Sequence, residues 1–151
     1  MKGIRVLAIA SFFGILVPGA HVGADEKCNL VVAYMLDDAR QPGFGVSIYR
    51  CANFWRLELE KFRGRTAGGE AHWSVLDLVE LSDVASGEVV VAESCSIDNS
   101  TDKAILAIAQ QTDEPEIQGI LAAWRADQQR GRCISIDTDS VDCWNEASGF
   151  S

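Results

Sequence analysis

Few side chains in this sequence are of a type that does covalent chemistry. His72 is the one imidazole beyond residue 24, so any Ser-His-Asp or Cys-His hydrolase would have to use it. It stands in "GGEAHWSV", at an expected strand start, and the chain has no Gly-x-Ser-x-Gly elbow. A structural or surface histidine is the better reading, and His72 remains only a weak catalytic candidate. Carboxylate pairs offer a second route. Asp37 with Asp38, or Glu58 with Glu60 on one strand face, would suit a glycosidase if opposed across a cleft about 5–9 Å wide. In so acidic a chain such pairs arise by chance. The five cysteines (Cys28, Cys51, Cys95, Cys133, Cys143) contain no Cys-x-x-Cys, and with one histidine beside them zinc-type spacing is missing. Neither a cofactor nor a metal is expected.

The stretch "CISIDTDSVDC" carries an apolar run ending in Asp-x-Asp-x-Val (Asp137, Asp139, Val141). It resembles the nucleophile motif of the haloacid-dehalogenase-like phosphohydrolases. That resemblance implies a first Asp attacking phosphorus, a second acting as acid and base, and later elements supplying a phosphate-binding Ser/Thr, a Lys and magnesium-binding carboxylates. Only ten residues follow Val141, and none is Lys or Arg, so the match is a coincidence. Calcium loops fare no better. An EF-hand needs Gly at position six and Glu at twelve, but counting from Asp137 those positions hold Asp142 and Ser148.

The ends of the chain speak to compartment. Lys2 and Arg5 precede an apolar run of about a dozen residues, Val6 to Val17, followed by Pro18, small residues and the acidic Asp25-Glu26. This is the layout of a secretory signal peptide over 1–24, cleaved after Ala24. The run is shorter than the roughly 20 residues of a membrane span. Residues 25–151 then form a single domain in the periplasm or outside the cell, with no membrane span after signal cleavage. Cysteines there pair by default. Spacing alone leaves the connectivity open; Cys28–Cys51 and Cys95–Cys143 are preferred with Cys133 odd, and Cys133–Cys143 is the rival.

Without the signal peptide, 11 basic face 22 acidic residues, a net charge near −11. Nucleic acid is a poor partner for such a surface. Arg50, Arg56, Lys61, Arg63 and Arg65 crowd one stretch, whereas from Thr66 to Trp124 the sole cation is Lys103. A dipolar molecule can be steered toward a charged partner. Arg and Trp are typical interface anchors, so Trp55, Arg56, Arg63, Arg65 and Trp144 are the binding candidates. These features suggest an exported binding protein, such as an enzyme or toxin inhibitor, an immunity protein or an accessory subunit. Its partner would be another exported protein, and the oligomeric state is left open. A small secreted hydrolase and a structural envelope component are the alternatives.

The elements that must position these residues read mostly as strands. "VSIYRC" and the alternation from Trp55 to Glu60 favour strand, while "CNLVVAYML" and "AILAIAQ" are short apolar runs of either type. "HWSVLDLVEL" and "GEVVVAESCSI" flank "SDVASG" and predict a β-hairpin. After Pro115, the spacing of Ile117, Ile120, Leu121 and Trp124 predicts a short helix, weakened by Gly119. The sum is an α+β domain dominated by antiparallel β-sheet, with one or two short helices and disulfide staples.

Overall fold

A computed structural model describes residues 27–36, 43–82 and 86–146. The expected signal peptide over 1–24 lies outside these residues. Every described regular element but one is a strand. β1 (Asn29–Met35), β2 (Phe44–Arg50), β3 (Phe54–Arg65) and β4 (Ala71–Ser82) form a first sheet, an antiparallel meander in sequence order. The second sheet has the order β11 (Arg132–Ile136), β10 (Ile120–Asp127), β8 (Ile105–Gln110), β5 (Glu88–Ala92). The third runs β7 (Ser100–Thr101), β6 (Cys95–Ile97), β12 (Val141–Trp144), β9 (Glu116–Ile117).

The sheets stack as three layers with the second in the middle. One core joins Val46, Ile48, Trp55, Leu57 and Leu59 of the first sheet to Leu106, Ile108 and Trp124 of the second. Another joins Val91, Ile105, Ala107, Ala109 and Ala123 of the second sheet to Cys95, Ile117, Val141 and Cys143 of the third. Alternation along β8 explains this: Leu106 and Ile108 point one way, and Ile105, Ala107 and Ala109 the other. On the face turned to the third sheet, Ala107, Ala109 and Ala123 stand beside the larger Val91 and Ile105.

Two expectations from the sequence fail here. The domain is β rather than α+β, because no α-helix occurs among the described residues; only a 3-10 turn at Thr138–Ser140 interrupts the strands. The segment from Pro115 to Trp124 illustrates why. Ile117 packs in the core between the second and third sheets and Trp124 in the core on the opposite side, while Leu121 is exposed. Those residues serve two layers, so their helical spacing never becomes one buried stripe. The second failure is the predicted hairpin. β4 pairs with β3, and β5 pairs with β8 in a different sheet. A twelve-residue β4 finds its match in the twelve-residue β3, leaving β5 to a more distant partner. By contrast, Asp98 and Asn99 join β6 to β7 with φ of 51° and 61°, the paired left-handed geometry of a type I′ hairpin turn.

Specific bonds hold the first sheet to the second. The Cys133 amide donates to Asp77 Oδ2 at 2.7 Å across the β4–β11 border. Gln128 Nε2 donates to the Leu36 carbonyl at 2.7 Å, and Tyr34 Oη to the Lys103 carbonyl at 3.2 Å. Two disulfides, Cys28–Cys51 and Cys95–Cys143, close loops of 23 and 48 residues; in the chain-entropy account they contribute about 3 and 4 kcal/mol. They suit an oxidising environment, extracellular or periplasmic. Cys133 is free and half-buried, and burial together with the neighbouring Asp77 carboxylate pushes its thiol up to about 12.

Two outcomes follow from this packing. Ala107→Leu forces a side chain into the close contact with the third sheet and costs about 1–3 kcal/mol in urea unfolding. The Cys133 thiol of the native protein reacts with iodoacetamide at pH 8 at least tenfold more slowly than in urea; equal rates in both would contradict its placement.

Candidate functional site

The outward face of the first sheet combines exposed apolar residues with paired charges. Its composition follows from strand alternation. Along β3, Trp55, Leu57 and Leu59 are buried, so Arg56, Glu58 and Glu60 must turn outward. The register then sets transverse rows across the sheet. Leu30, Tyr49, Arg56 and Glu80 form one row, and Ala33, Ser47, Glu58 and Leu78 the next. Met35, Gly45, Glu60 and Val75 form a third, with Phe62 and Trp73 paired beyond it. Charge therefore runs down the middle, between apolar margins on β1 and β4.

The polar centre is organised. Arg56 Nη2 and Nε donate to Glu80 Oε1 at 2.9 and 3.2 Å. Ser47 Oγ donates to Glu60 Oε2 at 2.7 Å. Glu58 lies between these two contacts; partial burial raises its pKa first, the Glu60 charge raises it further, and Arg56 opposes both. Burial and then the Glu58 charge likewise raise the Tyr49 phenol. At the margins Leu30 is 56%, Val75 49%, and Met35 and Leu78 each 40% exposed. Trp73 lies across Gly45, where an added Cβ would stand 3.4 Å from its ring, and its centroid is 5.2 Å from that of Phe62.

The binding residues singled out from the sequence do not assemble into one patch. Trp55 is in the core, with its Nε1 donating to Glu88 Oε2 at 3.4 Å and the Arg50 guanidinium 4.8 Å from its ring centre. Arg56 is on the outward face just described. Arg63 donates to Ser74 Oγ and Arg65 to the Gly69 carbonyl, each at 2.7 Å, toward the β3–β4 turn. Trp144 is 55% exposed on the last strand, elsewhere on the molecule. Sequence reasoning missed Leu30, Met35, Tyr49, Val75 and Leu78. The signal was in β4, where Val75 and Leu78 are apolar at positions that cannot both face the core of one regular strand; a bulge near Leu76 places both outside.

Hydrolytic candidates find no constellation. His72 is exposed, opposite Gly64 near the β3–β4 turn, and no other side chain bonds to it among the described residues. Glu58 and Glu60 are neighbours on one open sheet face rather than opposed across a cleft. The pair Asp37 and Asp38 lies outside the described residues. Asp137 has a local duty, accepting from the Asp139 amide at 3.0 Å while its carbonyl accepts from Ser140 Oγ at 2.7 Å. No cluster of His, Cys, Asp or Glu suited to a metal occurs among the described residues. Among them too, no helix is long and apolar enough to cross a membrane. Comparison with protein-family models, curated proteins and solved structures gives no match.

The raised pKa of Glu58 has a definite sign in stability. The folded chain holds this proton more tightly than the unfolded one, so the contribution is fully present below the ordinary carboxylate pKa of about 4 and is lost as pH rises through the raised value. Glu58→Gln therefore unfolds at higher urea than the parent at pH 7, by a few tenths of a kcal/mol given solvent screening, roughly the size of a surface ion pair. The two proteins converge near pH 3. A parent more stable than Glu58→Gln at pH 7 would reverse the assignment.

Proposed function

We propose that this is an exported binding protein, periplasmic or secreted, that acts by protein–protein association through the outward face of its first sheet. Inhibitor, immunity protein and accessory subunit are the roles that such an association covers. The observation that carries the reading is the arrangement of this face, with Leu30, Met35, Val75 and Leu78 exposed on either side of Glu58 and Glu60. Several large apolar side chains exposed on one face of a small domain support an interaction site there. The central carboxylates define what fits: an exported partner that inserts an Arg or Lys between apolar contacts. Arg in particular meets carboxylates with two parallel hydrogen bonds. The two disulfides support export.

Such a centre governs encounter rate as well as affinity, because complementary charge accelerates association and salt screens it. The test is capture of the partner from exported proteins of the source organism at low and high salt, followed by kinetics on the purified pair. One stoichiometric partner is expected, with Leu78→Asp and Glu58→Lys each weakening the complex at least tenfold. Leu78 is 40% exposed, so its replacement should shift folding stability by less than about 0.5–1 kcal/mol; Glu58 is partly buried, so urea unfolding of Glu58→Lys is measured beside its binding. A partner that binds both variants like the parent, or a blank at both salts, would overturn this reading.

A further inference from the structure

A second surface lies on the other side of the middle sheet and shares no residue with the face just discussed. A groove of ≈500 Å³ opens between β5, the outermost strand of the second sheet, and the β9–β12 end of the third. Val89 to Ala92 form one side, and Ile117, Trp144 and Glu146 line the other.

The backbone of β5 is half used. The Gly87 carbonyl accepts from the Gln111 amide at 2.8 Å, in the same register as Val89 opposite Ala109 and Val91 opposite Ala107. Hydrogen-bonded and non-bonded pairs alternate along an antiparallel ladder. Gly87, Val89 and Val91 therefore direct their amides and carbonyls to β8, while Glu88, Val90 and Ala92 turn theirs outward. The opposite flank of β8 gives the same phase, since Gln110 N donates to the Gly119 carbonyl at 2.9 Å and so points away from β5. Among the described residues nothing bonds the outward backbone groups of Glu88, Val90 and Ala92. An apolar strand edge left in this state is a template for another strand.

Two further features specify the occupant. Trp144 is 55% exposed at the rim, yet its backbone is fixed twice by Ser94: its amide donates to the Ser94 carbonyl at 3.1 Å, and its carbonyl accepts from Ser94 Oγ at 3.0 Å. An indole presented on a fixed backbone offers a flat apolar contact for a side chain of an added strand. The lining also includes Asp113 and Glu146 and no Lys or Arg, and β5 begins with Glu88 and is followed by Glu93. A second copy of this chain would bring the same negative charge to the same place.

We propose that this groove binds an extended, cationic segment of a partner protein by strand addition to β5. The added strand bonds the outward backbone groups of Glu88, Val90 and Ala92. Its alternate apolar side chains pack on Trp144 and the valines, and its Lys or Arg side chains meet Asp113 and Glu146. Strand addition of this kind draws affinity from main-chain bonds and specificity from alternate side chains.

The probe is an acetylated, amidated octapeptide alternating lysine with valine, titrated into the oxidised protein. Controls are the glutamate–valine analogue and the lysine–valine peptide N-methylated at alternate amides. The cationic peptide should bind, perturb Trp144 fluorescence and slow hydrogen exchange of the Glu88, Val90 and Ala92 amides at least tenfold. The acidic analogue should not bind. N-methylation should weaken binding at least tenfold, since it deletes several hydrogen bonds of the ladder. Val90→Pro removes an outward amide without touching a bond to β8, so it should weaken the peptide while the fold persists; Trp144→Ala supplies an independent variant if that chain does not fold. Equal affinity for the methylated and unmethylated peptides would overturn the proposal in favour of plain charge attraction. No binding would overturn it too, as would protection of the three amides in the protein alone, which would mean that the chain already covers its own edge.

Discussion

The structure depends on β8 being enclosed on all four sides. From Ile105 to Ala109 no residue exceeds 2% exposure, so water reaches neither the side chains nor the backbone. Every amide and carbonyl in that stretch must then be bonded within the protein, or each orphan would cost about 1–3 kcal/mol. β10 on one edge and β5 on the other meet this demand. The faces are covered by different means: Leu106 and Ile108 key into the first sheet, while Ala107 and Ala109 present a nearly flat surface to the third. The three-layer order follows from a strand with two buried faces of unequal side-chain size.

That enclosure also explains how much was legible in the sequence. Strands with one wet face announce themselves, as β3 does from Trp55 to Glu60, because burial alternates with every residue. β8 reads as a continuous apolar run, which is equally a short buried helix, and only the tertiary partners decide. The stretch through Ile117 and Trp124 misleads for a related reason. Its apolar residues serve opposite faces of the middle sheet, and a linear pattern cannot record which layer each one meets. Strand pairing was hidden in the same way: adjacency in sequence favours β4 with β5, but the chain pairs β5 with β8. The cysteines were more readable, since each of the bonded four borders or lies within a strand-like run. Of the candidate site, the charged middle was visible as Arg56, Glu58 and Glu60. Its apolar margins were hinted at only by Val75 and Leu78, whose odd spacing does not suit one face of a regular strand; which side each takes depends on the bulge in the pairing with β3.

The described residues present two kinds of surface. The first sheet offers a face, where side chains alone are available and recognition depends on shape and charge. The groove at β5 offers an edge, where among the described residues the outward backbone groups of Glu88, Val90 and Ala92 have no bonding partner. A face tends to select a folded partner and an edge an unfolded segment. The shared feature is negative charge, set at the centre of the first surface by Glu58 and Glu60 and around the second by Asp113 and Glu146.

The position of β12 bears on the order in which the chain assembles. Although it is the last strand described, it sits inside its sheet, between β6 and β9, with Cys143 bonded to Cys95 far upstream. Synthesis delivers this segment after every other described strand. Until Val141 to Trp144 arrive, β6 and β9 have no common neighbour, and the middle sheet lacks the contacts of Val141 and Cys143. A premature stop before Val141 would therefore remove the middle of a layer rather than trim a margin. The first two sheets could still form, with a sticky, uncapped back exposed to quality-control proteases.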